Sequence, residues 1–291
     1  MQADSLLSVG LPTALGIIML GLGLSLKFAD FLSIFGKPKP VLIGLLCHSM
    51  VLPLLCLGLV LLLDLTPAMA VGMMLLAASP AGTTGALFTH LANGDVALSI
   101  IIAALTSLLC VITLPLVSNA SLLLFYGEGG AVTLDLQQIL QFFAIAILPA
   151  MAGALIKSRN PSLAAVMERP VKLLATVFLV AIIGFSLFNH WGLVWEWGPS
   201  VGLATLIFSI LTYGVAYYLP RLLGVSDRQA IALAMATGVH NAALVITMAM
   251  SEFMLNNSQM AIPAAMYGVV AYITGGVFVL VLNSSRGRVT I

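Results

Sequence analysis

The chain has 291 residues, of which 61% are hydrophobic and only 7% are charged. Because soluble globular proteins carry about 25% charged residues, this composition excludes an ordinary soluble domain and indicates a polytopic, all-α membrane protein. A formal net charge of +1 and the absence of any basic run give no sign of a nucleic-acid partner.

Apolar runs long enough to cross a lipid bilayer recur along the sequence. A transmembrane helix needs about 20 mainly apolar residues, and we count nine such runs. Since the connections between them are short, the sequence predicts one transmembrane domain over residues 1–291. The predicted spans, in chain order, are Ser8–Leu26, Val41–Leu63, Pro67–Thr89, Val96–Phe125, Leu136–Ile156, Val171–Asn189, Pro199–Leu219, Gln229–Met250 and Gln259–Leu282.

The third and eighth spans are each interrupted near the centre. The segment Ser79–Gly85 brings a proline, two glycines and three hydroxyl side chains into the third span, and the segment Ala236–Asn241 interrupts the eighth. Proline removes a backbone donor, and glycine lets the chain leave helical geometry at low cost. Freed backbone groups in hydrocarbon need partners inside the protein or in a wet cavity. Both breaks are therefore predicted to line a polar site, as the broken helices of secondary transporters do.

The basic residues segregate on one side of the membrane under this count. All 11 Lys and Arg fall on the same face, and the positive-inside rule makes that face cytoplasmic. The prediction is a multi-pass protein of the inner (plasma) membrane, with its N-terminus outside and its C-terminus in the cytoplasm. The residues concerned are Lys27, Lys37, Lys39, Lys157, Arg159, Arg169, Lys172, Arg221, Arg228, Arg286 and Arg288.

The two halves of the chain share one layout. In spans one to four and in spans six to nine, the third member is the broken one, and span five connects the two sets. Thr66 and Ser226 stand at the starts of the broken spans, where each is predicted to be an N-cap. Because one broken span starts outside and the other inside, the two sets are predicted to be inverted-topology repeats.

The breaks also predict an anion site. The second half-helices begin near mid-depth, one close to Thr83 and Thr84 and the other close to Asn241. A helix N-terminus carries about half a positive charge and unpaired N–H groups, so two such ends facing each other can receive an anion without any Lys or Arg. The three side chains would add hydrogen bonds. The alternative is that they only satisfy the broken backbone.

Seven motifs, in this order along the chain, are similar to those of the bile acid:sodium symporter family. The resemblance covers almost the whole chain, and each motif alone is a modest signal. The motifs are Gly16–Leu26, Asp30–Phe31, Lys37–Lys39, Ser79–Thr83, Leu91–Ser99, Gly238–Asn241 and Ala261–Ala265.

The resemblance implies a panel domain, formed in part by residues 8–63 and in part by residues 136–190. It also implies a core domain in which the broken helices 67–89 and 229–250 cross. Members of the family carry organic anions, usually with sodium, so the candidate substrates are bile-acid-like steroids, pantoate or small keto acids. This chain resembles the nine-span version, which lacks the first of ten spans.

The resemblance also implies site residues at the two breaks. Thr83 and Asn241 match a substrate-contacting threonine and asparagine of the family. The substrate-binding set taken from both breaks is Gly82, Thr83, Thr84, Gly238, His240 and Asn241.

Several positions depart from the family pattern. Gly85 and Ala86 stand where sodium-binding members carry serine and asparagine, Ala103 where they carry threonine, and Ala236 where they carry glutamate. Sodium prefers a compact cage of several oxygen ligands, by the hard-cation rule, so one sodium site should be severely weakened. Ser99 keeps the serine of that site, and backbone carbonyls can still coordinate the ion.

His48 and His240 stand where the family has two glutamines of its second sodium site. The positions of a degenerate sodium site are thus Ser99, His48 and His240. Ionisable residues inside a membrane suggest a function, and here they suggest a proton in place of the sodium ion. The alternative is that both histidines are neutral and hold the crossing together. The coupling ion, Na⁺ or H⁺, is therefore open, and so is an uncoupled carrier.

Two other classes of protein fit parts of the pattern. Two buried histidines could be the axial ligands of a haem, although such a protein needs neither broken helices nor inverted repeats. A channel would also be a non-enzymatic membrane protein, but it would pass current far above the turnover of a carrier. The favoured interpretation is a transporter, not an enzyme, with a small organic anion as its partner and no cofactor besides the coupling ion. The sequence does not indicate an oligomeric state.

Overall fold

A computed structural model shows an all-helical protein. It describes residues 36–82, 84–127, 136–171, 173–174, 177, 191–251 and 254–287, together with residues 10, 13, 16–17, 19–21 and 23–24. Within these ranges every regular element is a helix, and strand-type pairing is limited to one isolated bridge between Ala81 and His240.

The helices follow the predicted spans closely. Residues 161–171 and the described residues between 10 and 24 are also helical. A π-helical turn, Cys47–Val51, joins the first two helices, and a 3₁₀ turn, Ser258–Ala261, precedes the last. The helices are α1 (Pro38–Leu46), α2 (Leu52–Leu62), α3 (Pro67–Ala78), α4 (Gly85–Leu91), α5 (Val96–Tyr126), α6 (Leu136–Arg159), α7 (Trp191–Leu222), α8 (Asp227–Gly238), α9 (Ala242–Met250) and α10 (Ile262–Gly287).

Three described helices are long and apolar enough to cross a membrane, namely Pro38–Leu62, Gly198–Leu222 and Ser258–Ser284. A fourth is added if Val96–Cys110 and Ile112–Tyr126, which are bent by 56°, count as one span. The all-helical membrane class is thus confirmed. The nine-span count and the inverted repeat stay predictions, since the runs Ser8–Leu26 and Val171–Asn189 lie largely outside the described residues.

Two proline positions explain local distortions of the long helices. In α5 the bend lies between Cys110 and Ile112, where Pro115 lacks the N–H that would reach the carbonyl four residues earlier. The π turn Cys47–Val51 directly precedes the turn that contains Pro53. Such turns commonly mark functional sites, and this one carries His48.

Both predicted breaks are present. The first broken span is α3 followed by α4, and the second is α8 followed by α9. Thr66 and Ser226 occupy the predicted N-cap positions, yet neither side chain bonds to its helix backbone. The Ser226 hydroxyl instead donates to Gln229 Oε1 at 3.0 Å.

The first halves of the broken spans form the centre of the molecule. Residues 68–78 of α3 and 230–238 of α8 are all buried, which suits helices that are apolar on every side. In contrast, α10 exposes a stripe at Val269, Ile273 and Val277, whose side chains are 64%, 63% and 54% accessible. A stripe of exposed apolar residues at helical spacing is typical of a lipid-facing surface. The first halves of the broken spans therefore lie inside the molecule, whereas α4 exposes Leu87 and Leu91.

Candidate functional site

The two broken helices cross at their breaks, where Ala81 and His240 form the isolated antiparallel bridge. The N–H of Gly82 donates to the carbonyl of Val239, and the N–H of Asn241 donates to that of Pro80, the latter at 2.9 Å. Each break thus satisfies backbone groups that the other has freed, as hydrocarbon surroundings require.

Helix α5 satisfies a further donor of the first break. The N–H of Ala81 donates to Thr106 Oγ1 at 3.1 Å. The Thr106 hydroxyl in turn donates to the carbonyl of Ile102 at 2.8 Å, a bond that fixes the side chain against its own helix. Thr106 was not among the residues that the sequence singled out, because a buried threonine in an apolar run most often bonds its own helix.

Two glycines permit close packing at the broken helices, Gly85 where α4 meets α8 and Gly238 where α8 meets α7. A Cβ on Gly85 would stand 2.6 Å from the carbonyl oxygen of Met235 and 2.9 Å from the Cα of Ala236. A Cβ on Gly238 would overlap the ring of Tyr213, and the Gly238 carbonyl accepts the Tyr267 hydroxyl at 2.8 Å. Gly238, which the resemblance assigned to the substrate, is buried behind these tyrosines.

Asn241 caps the second half of the second broken span. Its Oδ1 accepts the N–H of Leu244 at 3.2 Å, which makes Asn241 the N-cap of α9. This bond fixes the orientation of the half-buried amide. No partner of Nδ2 is found within the described residues, so its two N–H groups remain available beside the N-terminus of a 9-residue half-helix.

The hydroxyl of Thr84 pairs with that of Tyr272 on α10, with 3.0 Å between the two oxygens. Tyr272 is 47% accessible, and its ring also contacts that of Phe88, with centroids 5.8 Å apart. Thr84 is the N-cap of α4 without bonding that helix through its side chain. Because α4 has only 7 residues, its dipole is weak, and the hydroxyl pair is the stronger polar feature there.

Helix α10 therefore contacts the starts of both second half-helices. A Cβ on Gly268 would lie 3.8 Å from the Cβ of Ala242, the first residue of α9. Tyr272, one turn later on the same face of α10, reaches Thr84 at the start of α4. The sequence did not point to Tyr272, since nothing in a lone tyrosine of an apolar span indicates its distant partner.

His48 and His240 meet at the crossing. Their rings stack with centroids 5.4 Å apart and an interplanar angle of 26°. His48 Nε2 lies 3.0 Å and His240 Nδ1 3.4 Å from the carbonyl oxygen of Ser79. A carbonyl oxygen only accepts, so each of these ring nitrogens carries the hydrogen. His240 also contacts the rings of Phe208, at 5.7 Å, and Tyr267, at 5.4 Å.

The second nitrogen of each imidazole is buried, and the described residues offer it no hydrogen-bond partner. These atoms are His48 Nδ1 and His240 Nε2, and in the neutral rings both are acceptors. The side chains are only 3% and 5% accessible. Axial ligation of a haem would need one nitrogen of each ring to point at the same iron atom from opposite sides. The two rings instead stack face to face, so the arrangement does not suit a haem.

The other predicted site residues have different surroundings. Thr83 lies outside the described residues. Gly82 takes part in the bridge through its N–H. Ser99 is buried with an unpartnered hydroxyl, but no hydrogen bond within the described part of the chain joins it to either histidine. The structure thus brings Gly82, Thr84, His48, His240 and Asn241 to the crossing and its edges.

A polar cluster lies away from the crossing, where α1, α5 and α8 begin. Lys37 forms an ion pair with Asp95, and the N–H of Asp95 donates to the carbonyl of Arg228 at 2.9 Å. A cavity of about 650 Å³ adjoins it and is lined by His90, Asn93, Gly94, Asp95, Val96 and Arg228. Two of the motifs noted in the sequence, Lys37–Lys39 and Leu91–Ser99, therefore tie these helix ends together.

Comparison with known proteins identifies one family. A model described as the Sodium Bile acid symporter family matches residues 12–197 of the chain. This segment includes the whole of the first broken span and ends before the second.

Several named proteins are similar over most of the chain. The chain is 28% identical over 264 residues to a probable sodium/metabolite cotransporter BASS1, chloroplastic, of Arabidopsis thaliana, covering 90% of this chain and 64% of that protein. It is 27% identical over 266 residues to an uncharacterized sodium-dependent transporter YocS of Bacillus subtilis, covering 90% and 79%. It is 23% identical over 259 residues to the human ileal sodium/bile acid cotransporter, covering 86% and 72%. The chain thus spans less than two thirds of the plant protein's length.

Proposed function

This chain belongs to the Sodium Bile acid symporter family, and we propose that it is a secondary transporter of small or amphipathic organic anions. As a family member it is a membrane transporter and not an enzyme. The observation that carries the proposal is the Asn241 amide. It caps α9 through Oδ1 and keeps its N–H groups available at the crossing of two broken helices.

The proposed anion site combines a helix end with neutral hydroxyls. The N-terminus of α9 supplies a partial positive charge, and Asn241 Nδ2 adds a directed donor. Thr84 and Tyr272 contribute two hydroxyls, one of which is free to donate outward, since only one hydrogen is needed between them. Neutral donors at a helix N-terminus bind anions in the interior of membrane proteins, where a free lysine or arginine would be costly.

We propose the nine-span topology with the N-terminus outside, the C-terminus in the cytoplasm and the protein in the plasma membrane. The panel and core division over residues 1–291 belongs to the same proposal. The segregation of all 11 basic residues and the burial of α3 and α8 inside the molecule support this proposal. In alternating access, the core would move against the panel and expose the crossing to each side in turn.

Two coupling ions are candidates. Sodium comes first by relationship, because the names of all three relatives describe sodium transport. The proton is the second candidate, favoured by the two buried imidazole nitrogens that lack a partner among the described residues. The substrates in the names of the relatives, bile acid and unspecified metabolites, support an organic anion for this chain without identifying one.

The test is uptake of radiolabelled organic anions into proteoliposomes. The panel runs from small keto acids through pantoate to a bile acid, which grades the size of the substrate while keeping the carboxylate. We expect saturable uptake of at least one anion, which unlabelled anion competes away. Failure of every anion to enter above the level of empty liposomes would reject the proposal.

A further inference from the structure

The carboxyl ends of the first half-helices, α3 and α8, meet at the crossing. The last carbonyls of a helix have no partner within the helix, and together they carry about half a negative charge. In secondary transporters such ends and the unwound carbonyls beside them can coordinate the coupling cation. Whether this protein needs a cation there depends on what already occupies those carbonyls.

Donors from the protein occupy several carbonyls at and just after the end of α3. The Ser79 carbonyl receives His48 Nε2–H at 3.0 Å and His240 Nδ1–H at 3.4 Å, and two donors use both lone pairs of a carbonyl oxygen. The Leu76 carbonyl receives the N–H and the hydroxyl of Ser79, at 3.1 and 2.7 Å. The Pro80 carbonyl receives the N–H of Asn241.

Two carbonyls at and just after the end of α8 are occupied in the same way. The Tyr267 hydroxyl donates to the carbonyl of Gly238 at 2.8 Å. The N–H of Gly82 donates to the carbonyl of Val239. These donors, like the imidazoles, are uncharged, and all of them are held in place by packing inside the molecule.

The side chains at the crossing offer no oxygen cage either. No group of three or more His, Cys, Asp or Glu that could hold a metal ion occurs among the described residues. Gly85 and Ala236, which face each other where the broken helices touch, have no side-chain oxygen. At the predicted sodium-site positions, the buried atoms without a partner among the described residues are His48 Nδ1, His240 Nε2 and the single hydroxyl of Ser99, whereas sodium prefers a cage of several oxygens.

We propose that uncharged N–H and O–H donors, chiefly those of His48 and His240, take the place of a cation at the carbonyls of the two breaks, so that the protein binds its organic anion without sodium. This inference rests on the proposed function for the anion, but its claim about sodium concerns the crossing alone. It separates this chain from relatives whose names specify sodium.

The first experiment uses sodium itself as the probe. The melting temperature of the purified protein in detergent is measured in NaCl and in choline chloride at equal ionic strength, without any organic anion. A cation that binds the folded state raises its melting temperature. We expect the two values to agree, and a melting temperature that rises with NaCl but not with choline chloride would overturn the inference.

Variants of His48 test the role of the donor. His48→Gln keeps an amide N–H for the Ser79 carbonyl, whereas His48→Leu removes it at similar volume. We expect the glutamine variant to melt near the wild type and the leucine variant to melt clearly lower, while the matched change His90→Gln, at an exposed histidine, has no effect. Equal melting of the glutamine and leucine variants would contradict the donor role. The wild-type comparison stands even if the leucine variant does not fold.

Anion uptake distinguishes failure of this inference from failure of the proposed function. If uptake occurs and is equal in sodium and choline, both stand. If uptake occurs only with sodium, the inference fails and the proposed function stands. If no anion enters, the proposed function fails, and the melting experiment still decides whether the crossing binds sodium.

Discussion

His48 and His240 both direct a ring N–H at the carbonyl oxygen of Ser79, although 240 − 48 = 192 positions separate them in the sequence. One histidine sits in a π turn of a continuous helix and the other at the break of α8 and α9. The end of α3 is thereby fastened to two other elements through one oxygen atom. A substrate that moves any of the three elements must also disturb this contact.

A substitution at Asn241 can distinguish the role of its side chain in capping α9 from its role in anion binding. Asn241→Asp keeps the Oδ1 acceptor that caps α9 but replaces the Nδ2 donor with a negatively charged oxygen. We expect a folded protein whose anion affinity falls by at least about 100-fold, because a charge-assisted bond is lost and a like charge is added. Binding is measured by displacement of a radiolabelled anion from the purified protein.

The control for this change is Asn241→Leu, which removes both the donor and the cap. Losing an N-cap costs about 1 kcal/mol, so this variant should bind poorly and also melt earlier. If the aspartate variant binds the anion as the wild type does, Asn241 is a structural cap only.

The Tyr272 hydroxyl should matter for affinity and not for folding. Tyr272→Phe removes the partner of Thr84 at an accessible position. A neutral hydrogen bond contributes about 0.5–1.5 kcal/mol, so we expect anion affinity to fall by about 3- to 10-fold at an unchanged melting temperature. Tyr218→Phe is the matched control, since Tyr218 is also exposed, at 60%, but lies on α7. Equal affinities of the two variants would remove Tyr272 from the site.

The close approach at Gly85 should be sensitive to a single methyl group. Gly85→Ala places a Cβ against backbone atoms of Met235 and Ala236, which cannot move aside as a side chain would. Overpacking of this kind costs about 1–3 kcal/mol, so we expect a lower melting temperature and loss of anion binding. Gly58→Ala is the control, because a Cβ there would meet nothing within 4 Å. A Gly85→Ala protein as stable and active as the Gly58→Ala protein would show that the helices do not touch there.

The membrane orientation rests on the basic residues. With all 11 on one face, we expect the C-terminus at Ile291 in the cytoplasm. A green fluorescent protein fused there should fluoresce, and an alkaline phosphatase fused there should be inactive. The reverse pattern would change the parity of the span count.

Several features of the fold follow from local sequence alone. Pro80 with its neighbouring glycines is incompatible with a continuous helix, so the first break could be located to within a few residues. Asn241 beside an apolar run is a typical N-cap, and the structure makes it one. Both properties depend on residues within one helical turn of each other, so they can be predicted from the local sequence.

Contacts between distant segments could not be predicted in this way. The partner of Thr84 is Tyr272, 188 residues later, and the shared acceptor of both histidines is a backbone carbonyl. Backbone acceptors look the same at every position in a sequence, and only the packing of helices selects one. The occupied carbonyls at the crossing, which bear on sodium, are visible only in three dimensions.

Counterflow in proteoliposomes tests the central claim most directly. Vesicles are loaded with an unlabelled organic anion, and entry of the same labelled anion is followed for the wild type and for Asn241→Asp. An alternating-access carrier exchanges one for the other, so preloading should accelerate entry through the wild type and have no effect with the variant. If preloading leaves wild-type entry unchanged, or if the variant exchanges equally well, the crossing of the broken helices is not the site at which this protein carries an anion.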